Sequence, residues 1–508
     1  MSPNLAKSAL WVTISEIIFN ISGFIIHSIV GRILGPADYG RYGLVITLTT
    51  MVIILVGNGI PTAMSKYISE VYDTNPKLVK LIKRQSIILQ SFIIGLLTII
   101  FYFLAPVIAG ILHDQSLTAL FRISVWIIPT FAMASFYFSY YTGLHEFNIQ
   151  SLLKTLRSIF KVVFIIGLAY YFRVPGSING YTISTLALFA VALYIDKFII
   201  SKKLKKREAE LSIAEEPFFD WRKLVNYAWQ IVIFFLAYEL LISIDLYLVK
   251  GILRNDYLTG IYNASLTVGR IPYYVFYALT VILLPVISKT TSSNNNKETS
   301  KIIEQSLRLM LILLVPSVIL MSIYSRPIIK LFYSNRFIDA AYPMSILVWG
   351  VGFLTIFYVF CFVMSGAGKV KKPMVMSIAG LAINTILNYI LIKKYGITGS
   401  AIATSITSAI ITFVMLYYIW TDFGVKIKLK SFLKIAFAGI ITYGASLLFN
   451  RGEFIFMLWS VILFAFYLLV LYLLGEVKKE DLKLFKSMLA RKKIEEVEEE
   501  LPGTEPSA

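Results

Sequence analysis

Four ionised side chains stand deep inside long apolar runs of this sequence: Glu16, Glu239, Asp245 and Arg270. A charge at mid-membrane costs about 2.5 to 3.5 kcal/mol on insertion scales, so one that persists faces a cavity or a partner. Arg270 lies about eleven residues into its run, roughly 16 Å from the end at 1.5 Å per helical residue. Pro272 follows it and, lacking a backbone donor, kinks a helix there. A guanidinium offers forked donors that suit a diphosphate; its other use here is an ion pair with Asp245 or Glu239. The three carboxylates are candidates for carrying a coupling proton or ion, or for accepting hydrogen bonds from neighbouring helices. Asn58 and Lys66 are further candidate contacts for a polar substrate, while Asn20, Asn384 and Asn388 read as interhelical hydrogen-bonding groups. Lys161, Arg122 and Arg308 fall within about two turns of an expected interface and read as snorkelling cations.

These residues must be positioned by lipid-embedded helices. Of the 508 residues, 57% are apolar and 15% charged, and the mean hydropathy is +0.75, which no soluble core accommodates. Apolar runs long enough to span a bilayer recur along the chain without the alternation of a barrel strand. Fourteen helices are expected, among them 42–69, 156–172, 179–200, 259–287, 373–392 and 398–420. Most of the 48 lysines and arginines fall in alternate connecting segments. That distribution puts both termini in the cytoplasm and makes the net charge of +19 a topology signal, with no nucleic-acid partner expected. The expected organisation is an N-terminal lobe (1–200), a basic linker (201–224), a C-terminal lobe (225–421), two further helices (422–475) and a cytoplasmic tail (476–508).

Between the first two runs stands VGRILGPADYGRYGLV (30–45). Gly35 and Pro36 end one helix and start the next, Gly40 permits a sharp turn, and Asp38 is placed to cap the second helix. With Arg32 and Arg41 these residues form an outer hairpin, either a structural corner or a gate. The sequence repeats itself. YYFRVPGSINGYTIST (170–185) aligns with IKKYGITGSAIATSIT at an offset of 223, Gly143 falls on Gly366, and GRILGPADYGRY is echoed by GILRNDYLTGIY (251–262). At that offset Glu16 and Glu239 occupy similar places. Six helices per unit return the chain to its starting side, so the two units lie parallel, and a path between them is opened and closed by rocking.

The stretch RILGPADYGRYGL, paired with LRNDYLTGIYNAS and YGITGSAIAT, resembles the polysaccharide-biosynthesis (Wzx-like) flippases of the multidrug/oligosaccharidyl-lipid/polysaccharide exporter superfamily. The resemblance implies an all-α polytopic membrane protein with two parallel six-helix repeats forming a V-shaped pair of lobes, plus two extra C-terminal helices. It implies transport of polyprenyl-diphosphate-linked sugars to the outer leaflet of a prokaryotic plasma membrane. The partners so implied are a lipid-linked glycan, membrane lipids, and glycan polymerase or ligase components. A cation-coupled drug antiporter of the same superfamily and a peptidoglycan-precursor flippase remain as alternatives. The latter calls for several arginines on the first two helices, whereas Arg32 and Arg41 lie at their outer end.

An enzyme is not expected. There is no G-x-x-x-x-G-K-[ST] loop; Gly366-Ala-Gly-Lys369 lacks its first glycine and its hydroxyl. His27, His113 and His145 are scattered without metal-ligand spacing and read as surface or interface residues, so neither cofactor nor metal is expected. The longest outer loop, 324–342, holds one acidic residue, Asp339, too few for acid/base or metal-assisted glycosyl transfer.

Overall fold

A computed structural model describes residues 3–211, 218–292, 296–425, 429–448 and 455–477. The described residues form helices and no strands. Parts of the basic linker and of the 288–301 polar stretch lie outside them, as does the tail beyond residue 477.

Seven helices make the first half: α1 (Pro3–Leu34), α2 (Pro36–Gly57), α3 (Ile60–Val71), α4 (Pro76–Ile111), α5 (Leu117–Ser124), α6 (Ile127–Gly143) and α7 (Phe147–Ile195). A charged helix, α8 (Ser201–Leu211), follows and ion-pairs back to it through Lys203–Glu146, Arg207–Asp73 and Lys80–Glu208. The second half repeats the order: α9 (Arg222–Leu253), α10 (Asp256–Gly269), α11 (Ile271–Ser292), α12 (Asn296–Ile323), α13 (Ser325–Phe332), α14 (Ala341–Gly366) and α15 (Lys371–Phe423). Then come α16 (Leu429–Ser446) and α17 (Ile455–Leu473). Among the described residues nine helical segments are long and apolar enough to cross a membrane. The expected runs 42–69 and 259–287 are each broken in two: α2 gives way to α3 at Asn58-Gly59, and α10 to α11 at Arg270. A proline follows each break, Pro61 and Pro272, where a missing backbone donor costs nothing in a helix's first turn.

The repeat is visible in the backbone. α7 folds back on itself at Arg173 (φ 51°, ψ −130°), and α15 does so at Gly396 (φ 59°, ψ −140°), 223 positions later. In both, the arms cross where only hydrogen fits. A Cβ on Gly176 would lie 2.0 Å from the Leu168 carbonyl oxygen, and one on Gly399 2.0 Å from that of Leu391. The packing partners correspond as well. α7 is packed by α1 and α6, and α15 by α9 and α14; α3 lies on α4 and α6 as α11 lies on α12 and α14. α16 packs on α12 and α17, outside the repeat.

The offset is not uniform. The left-handed residues that end α1 and α9 are Gly35 and Arg254, and the paired glycines of α2 and α10 are Gly40 and Gly260. The shift there is therefore 219 to 220, and Glu239 corresponds to Phe19 or Asn20. The expected equivalence with Glu16 is lost, because Glu16 stands about one helical turn away.

Candidate functional site

The two halves meet at both ends of the bundle. At the end carrying the α1–α2 turn, α2 crosses α10 through two glycines: a Cβ on Gly40 would meet the Asp256 carbonyl oxygen at 2.5 Å, and one on Gly260 the Pro36 carbonyl oxygen at 1.7 Å. This close approach brings charges together. Arg41 Nε donates to Asp256 at 2.8 Å, and Lys250, 3% exposed, donates to Asp114 at 2.8 Å and also to Asp256. Burial pushes the Asp114 carboxyl up, but hydrogen bonds from Lys250 and Ser116 and the charge of Arg41 outweigh it and hold the group below its usual range.

The remaining hairpin residues are also engaged. Gly35, with φ 77°, supplies the left-handed turn, and Pro36 opens α2. Arg32 donates to the carbonyls of Leu331 and Phe332 on α13. Asp38 does not cap α2, whose N-cap is Gly35 with no side-chain bond. It sits in the first turn and pairs with Arg173 at 3.2 Å, because the α7 fold brings that guanidinium to the hairpin.

At the opposite end α3 meets the start of α9. Lys66 Nζ stands 4.4 Å from the ring centre of Tyr227, and Tyr67 packs edge-on against Phe219 and Tyr227. Lys66 is thus a closing contact at this end. Asn58 ends α2 at its break. Neither residue lines the central cavity.

Between the two closures lies a cavity of about 240 Å³. α1 contributes Phe19, Asn20 and His27, α2 contributes Thr47 and Thr50, and α9 and α10 contribute Glu239 and Asn263. Arg270 enters at the α10–α11 break. It is half-buried, donates to the Ile242 carbonyl, and has no ion-pair partner among the described residues. Lys161 enters from α7, its ammonium 2.9 Å from the Tyr181 hydroxyl. The snorkelling reading of Lys161 is therefore replaced: its head points to the space between the halves. His27 also lines the cavity and bonds Tyr39 at 2.9 Å, which in turn bonds Tyr333 at 2.8 Å.

Of the expected site residues, Arg270 and Glu239 reach this cavity, while Glu16 and Asp245 do not line it. Glu16 pairs with Lys154. Asp245 is fully buried and accepts from Tyr262 at 2.9 Å, from the Leu246 amide at 2.9 Å and from Thr404 at 3.4 Å. Beside it Asn388 donates to Asn384 at 2.9 Å and accepts from Ser400 at 2.6 Å. These oxygens are hard donors of the type that holds an alkali or alkaline-earth cation; no cluster of three His, Cys, Asp or Glu exists among the described residues. Sequence reasoning did not single out Lys154 and Arg157. Their spacing with Lys161, three and four residues apart, puts all three on one helix face, and that was the available signal.

Two like-oriented helical repeats closing over a charged chamber define a membrane transporter. Residues 5–291 match the family described as Polysaccharide biosynthesis protein, and residues 225–390 match that described as MatE. The chain belongs to the polysaccharide biosynthesis protein family. It is similar to stage V sporulation protein B of Bacillus subtilis (22% identical, covering 94% of this chain and 96% of the relative). It is also similar to the lipid II flippase MurJ of the same organism (23% identical, covering 82% and 83%). Among solved structures it resembles the lipid II flippase MurJ in its inward closed conformation, with a TM-score of 0.72, 19% identity and coverage of 93% and 99%. The fold is that of the flippases and transporters of the MOP superfamily.

Proposed function

We propose that this protein is a flippase that carries a polyprenyl-diphosphate-linked oligosaccharide from the cytoplasmic to the outer leaflet by alternating access, for cell-surface polysaccharide synthesis. The observation that carries the reading is the pair Arg270 and Lys161, one from each half, facing a single cavity. A diphosphate between them is held by charge-assisted bonds from both halves at once, so its binding draws the halves together. The polar headgroup then passes while one end is closed.

The lipid tail has a place outside the chamber. An apolar groove of about 880 Å³ runs between α12, α14, α15 and α16, lined by Leu311, Val315, Phe353, Tyr417 and Ile440 among others. This supports a role for α16, the first of the two extra helices, as a wall for the tail. In this reading, α7 and α15 each supply two crossings and the chain has fourteen. Its lobes are 1–200 and 225–421, joined by the 201–224 linker, and it sits in a prokaryotic plasma membrane with the α1–α2 turn outside and both termini in the cytoplasm. Asp245, with Thr404, Asn384 and Asn388, is the proposed coupling-cation site, and Glu239 the acid that senses it from the cavity. The hairpin from Arg32 to Arg41 is the outer gate. Polymerase or ligase components are proposed to take the delivered glycan.

The test is transport of a fluorescent polyprenyl-diphosphate sugar by the purified protein in liposomes without nucleotide. Wild type moves it, and Arg270→Gln and Lys161→Gln do not. Equal transport by all three would end the proposal. The second reading, a cation-coupled drug antiporter, is favoured by the MatE match and by Glu239 in the cavity. It requires efflux of a cationic dye under an ion gradient, with loss in Glu239→Gln. A peptidoglycan-precursor flippase differs only in cargo and is separated by competition with that precursor.

A further inference from the structure

Beside the cavity, on the side toward the linker, three cations surround one ring. Lys154 Nζ, Arg157 Cζ and Lys161 Nζ lie 5.5, 5.2 and 5.7 Å from the centre of Phe19. The groups that face them are Glu16 and Phe19 of α1, Phe131 and Phe138 of α6, and Tyr181 on the returning arm of α7. Against three positive heads there stands one carboxylate, Glu16, which is bonded to Lys154. Arg157 is held by ring faces, 4.2 Å from the centre of Phe131, and by the Tyr181 hydroxyl, while its buried Nε has no hydrogen-bond partner among the described residues. Ring faces stabilise a desolvated cation by about 2 kcal/mol. They do not neutralise it, so two positive charges remain uncompensated in a low-dielectric interior, where each is costly. Phe19 lines the cavity as well, so the cluster opens onto it.

We infer that Lys154, Arg157 and Lys161 form a second anion station that takes a phosphate-ester dianion, and that Glu16 is its internal stand-in, holding Lys154 until the ligand's oxygens displace it. This rests on the proposed flippase reading and extends it: the diphosphate meets the α7 station first from the linker side, and Lys161, shared by both, passes it to Arg270. Glu16 is then a competitor for the site and carries no coupling proton.

Glu16 and the three cations have opposite effects on affinity, and this makes the inference testable. The full chain in phosphatidylcholine nanodiscs is titrated with farnesyl diphosphate, with farnesol and inorganic pyrophosphate as controls, and each variant's melting temperature is checked without ligand. Arg157→Gln is expected to bind roughly tenfold more weakly, as loss of one charge-assisted bond predicts, with Arg157→Lys in between. Glu16→Gln is expected to bind severalfold more tightly, a gain that misfolding cannot produce. Unchanged or weaker binding by Glu16→Gln, or unchanged binding by Arg157→Gln, overturns the station. If Arg157→Gln melts below the working temperature, Lys154→Gln takes its place with the same expectation. Discs of phosphatidylglycerol that erase both effects would assign the station to a lipid headgroup and overturn the diphosphate assignment. Absence of binding by wild type, or binding indifferent to Arg270→Gln, instead defeats the flippase reading beneath it.

Discussion

The first arms of α7 and α15 share a backbone bend and differ in charge at three corresponding positions, one cationic and the other neutral. At the 223 offset that holds through both hairpins, Lys154, Arg157 and Lys161 correspond to Ser377, Gly380 and Asn384, and Tyr181 corresponds to Thr404. One arm gathers cations around Phe19; the other carries the neutral Asn384 and Asn388, and it is Thr404 on the returning arm that bonds the buried Asp245. Each copy kept its packing glycines but changed its polar face, and in the proposed reading this divides the labour: the first half supplies the α7 anion station, and the second supplies Arg270 and the Asp245 cation site. The difference lies in side chains at a few positions, because at the crossings of Gly176 and Gly399 any added Cβ forces the two arms apart.

Exchanging the faces tests this most severely. Lys161→Asn makes the first arm resemble the second, and transport of the diphosphate-linked cargo in liposomes is expected to fall roughly 100-fold, the loss of about 3 kcal/mol of charge-assisted bonding. Asp245→Asn is expected to lower transport about tenfold and to remove its dependence on the cation gradient, read by substituting choline for sodium or by collapsing the proton gradient. If the gradient dependence survives, the second half is not the cation site. The architecture common to both arms gives a smaller, matched effect. Gly176→Ala and Gly399→Ala are each expected to destabilise by about 1 to 3 kcal/mol through overpacking, and their melting temperatures should drop alike. Unequal drops would show that the two hairpins are not mechanical equivalents.

The smallest effect concerns pH. Because the Asp114 carboxyl is held below the ordinary aspartate value of about 3.9 in the folded chain, its contribution to closure is fully present above about that pH and fades as the pH falls through the lower folded value. Accessibility of a cysteine placed at the buried Thr259, between Asp256 and Gly260 in the closure, is therefore expected to stay constant from pH 8 to about 5 and to rise only in stronger acid.

Much of this architecture could be read from residue order. The apolar runs, the Gly35-Pro36 turn and the 223 offset give the helices and their repetition, because each depends on local chemistry. What a linear pattern leaves open is rotation about a helix axis. Lys161 reads as a charge near a run's edge and Glu16 as one inside a run, yet Lys161 faces the cavity and Glu16 an adjacent lysine, a distinction set by how α1 packs on α7. Asp38 was assigned to its nearest amides because Arg173, 135 positions away, becomes a partner only once α7 has turned. The slip from 223 to 220 between repeats likewise moved Glu239 off Glu16.

Arg173 itself has a mechanical meaning. It takes the same left-handed bend that its counterpart makes with Gly396, but it carries a side chain that grips Asp38 and the Leu34 carbonyl. The tip of one hairpin is thus strapped to the corner of α1 and α2, whereas the glycine tip has no side chain with which to grip anything. In the proposed rocking motion that corner and the α7 tip would travel together as a lever arm, a coupling that the glycine tip lacks.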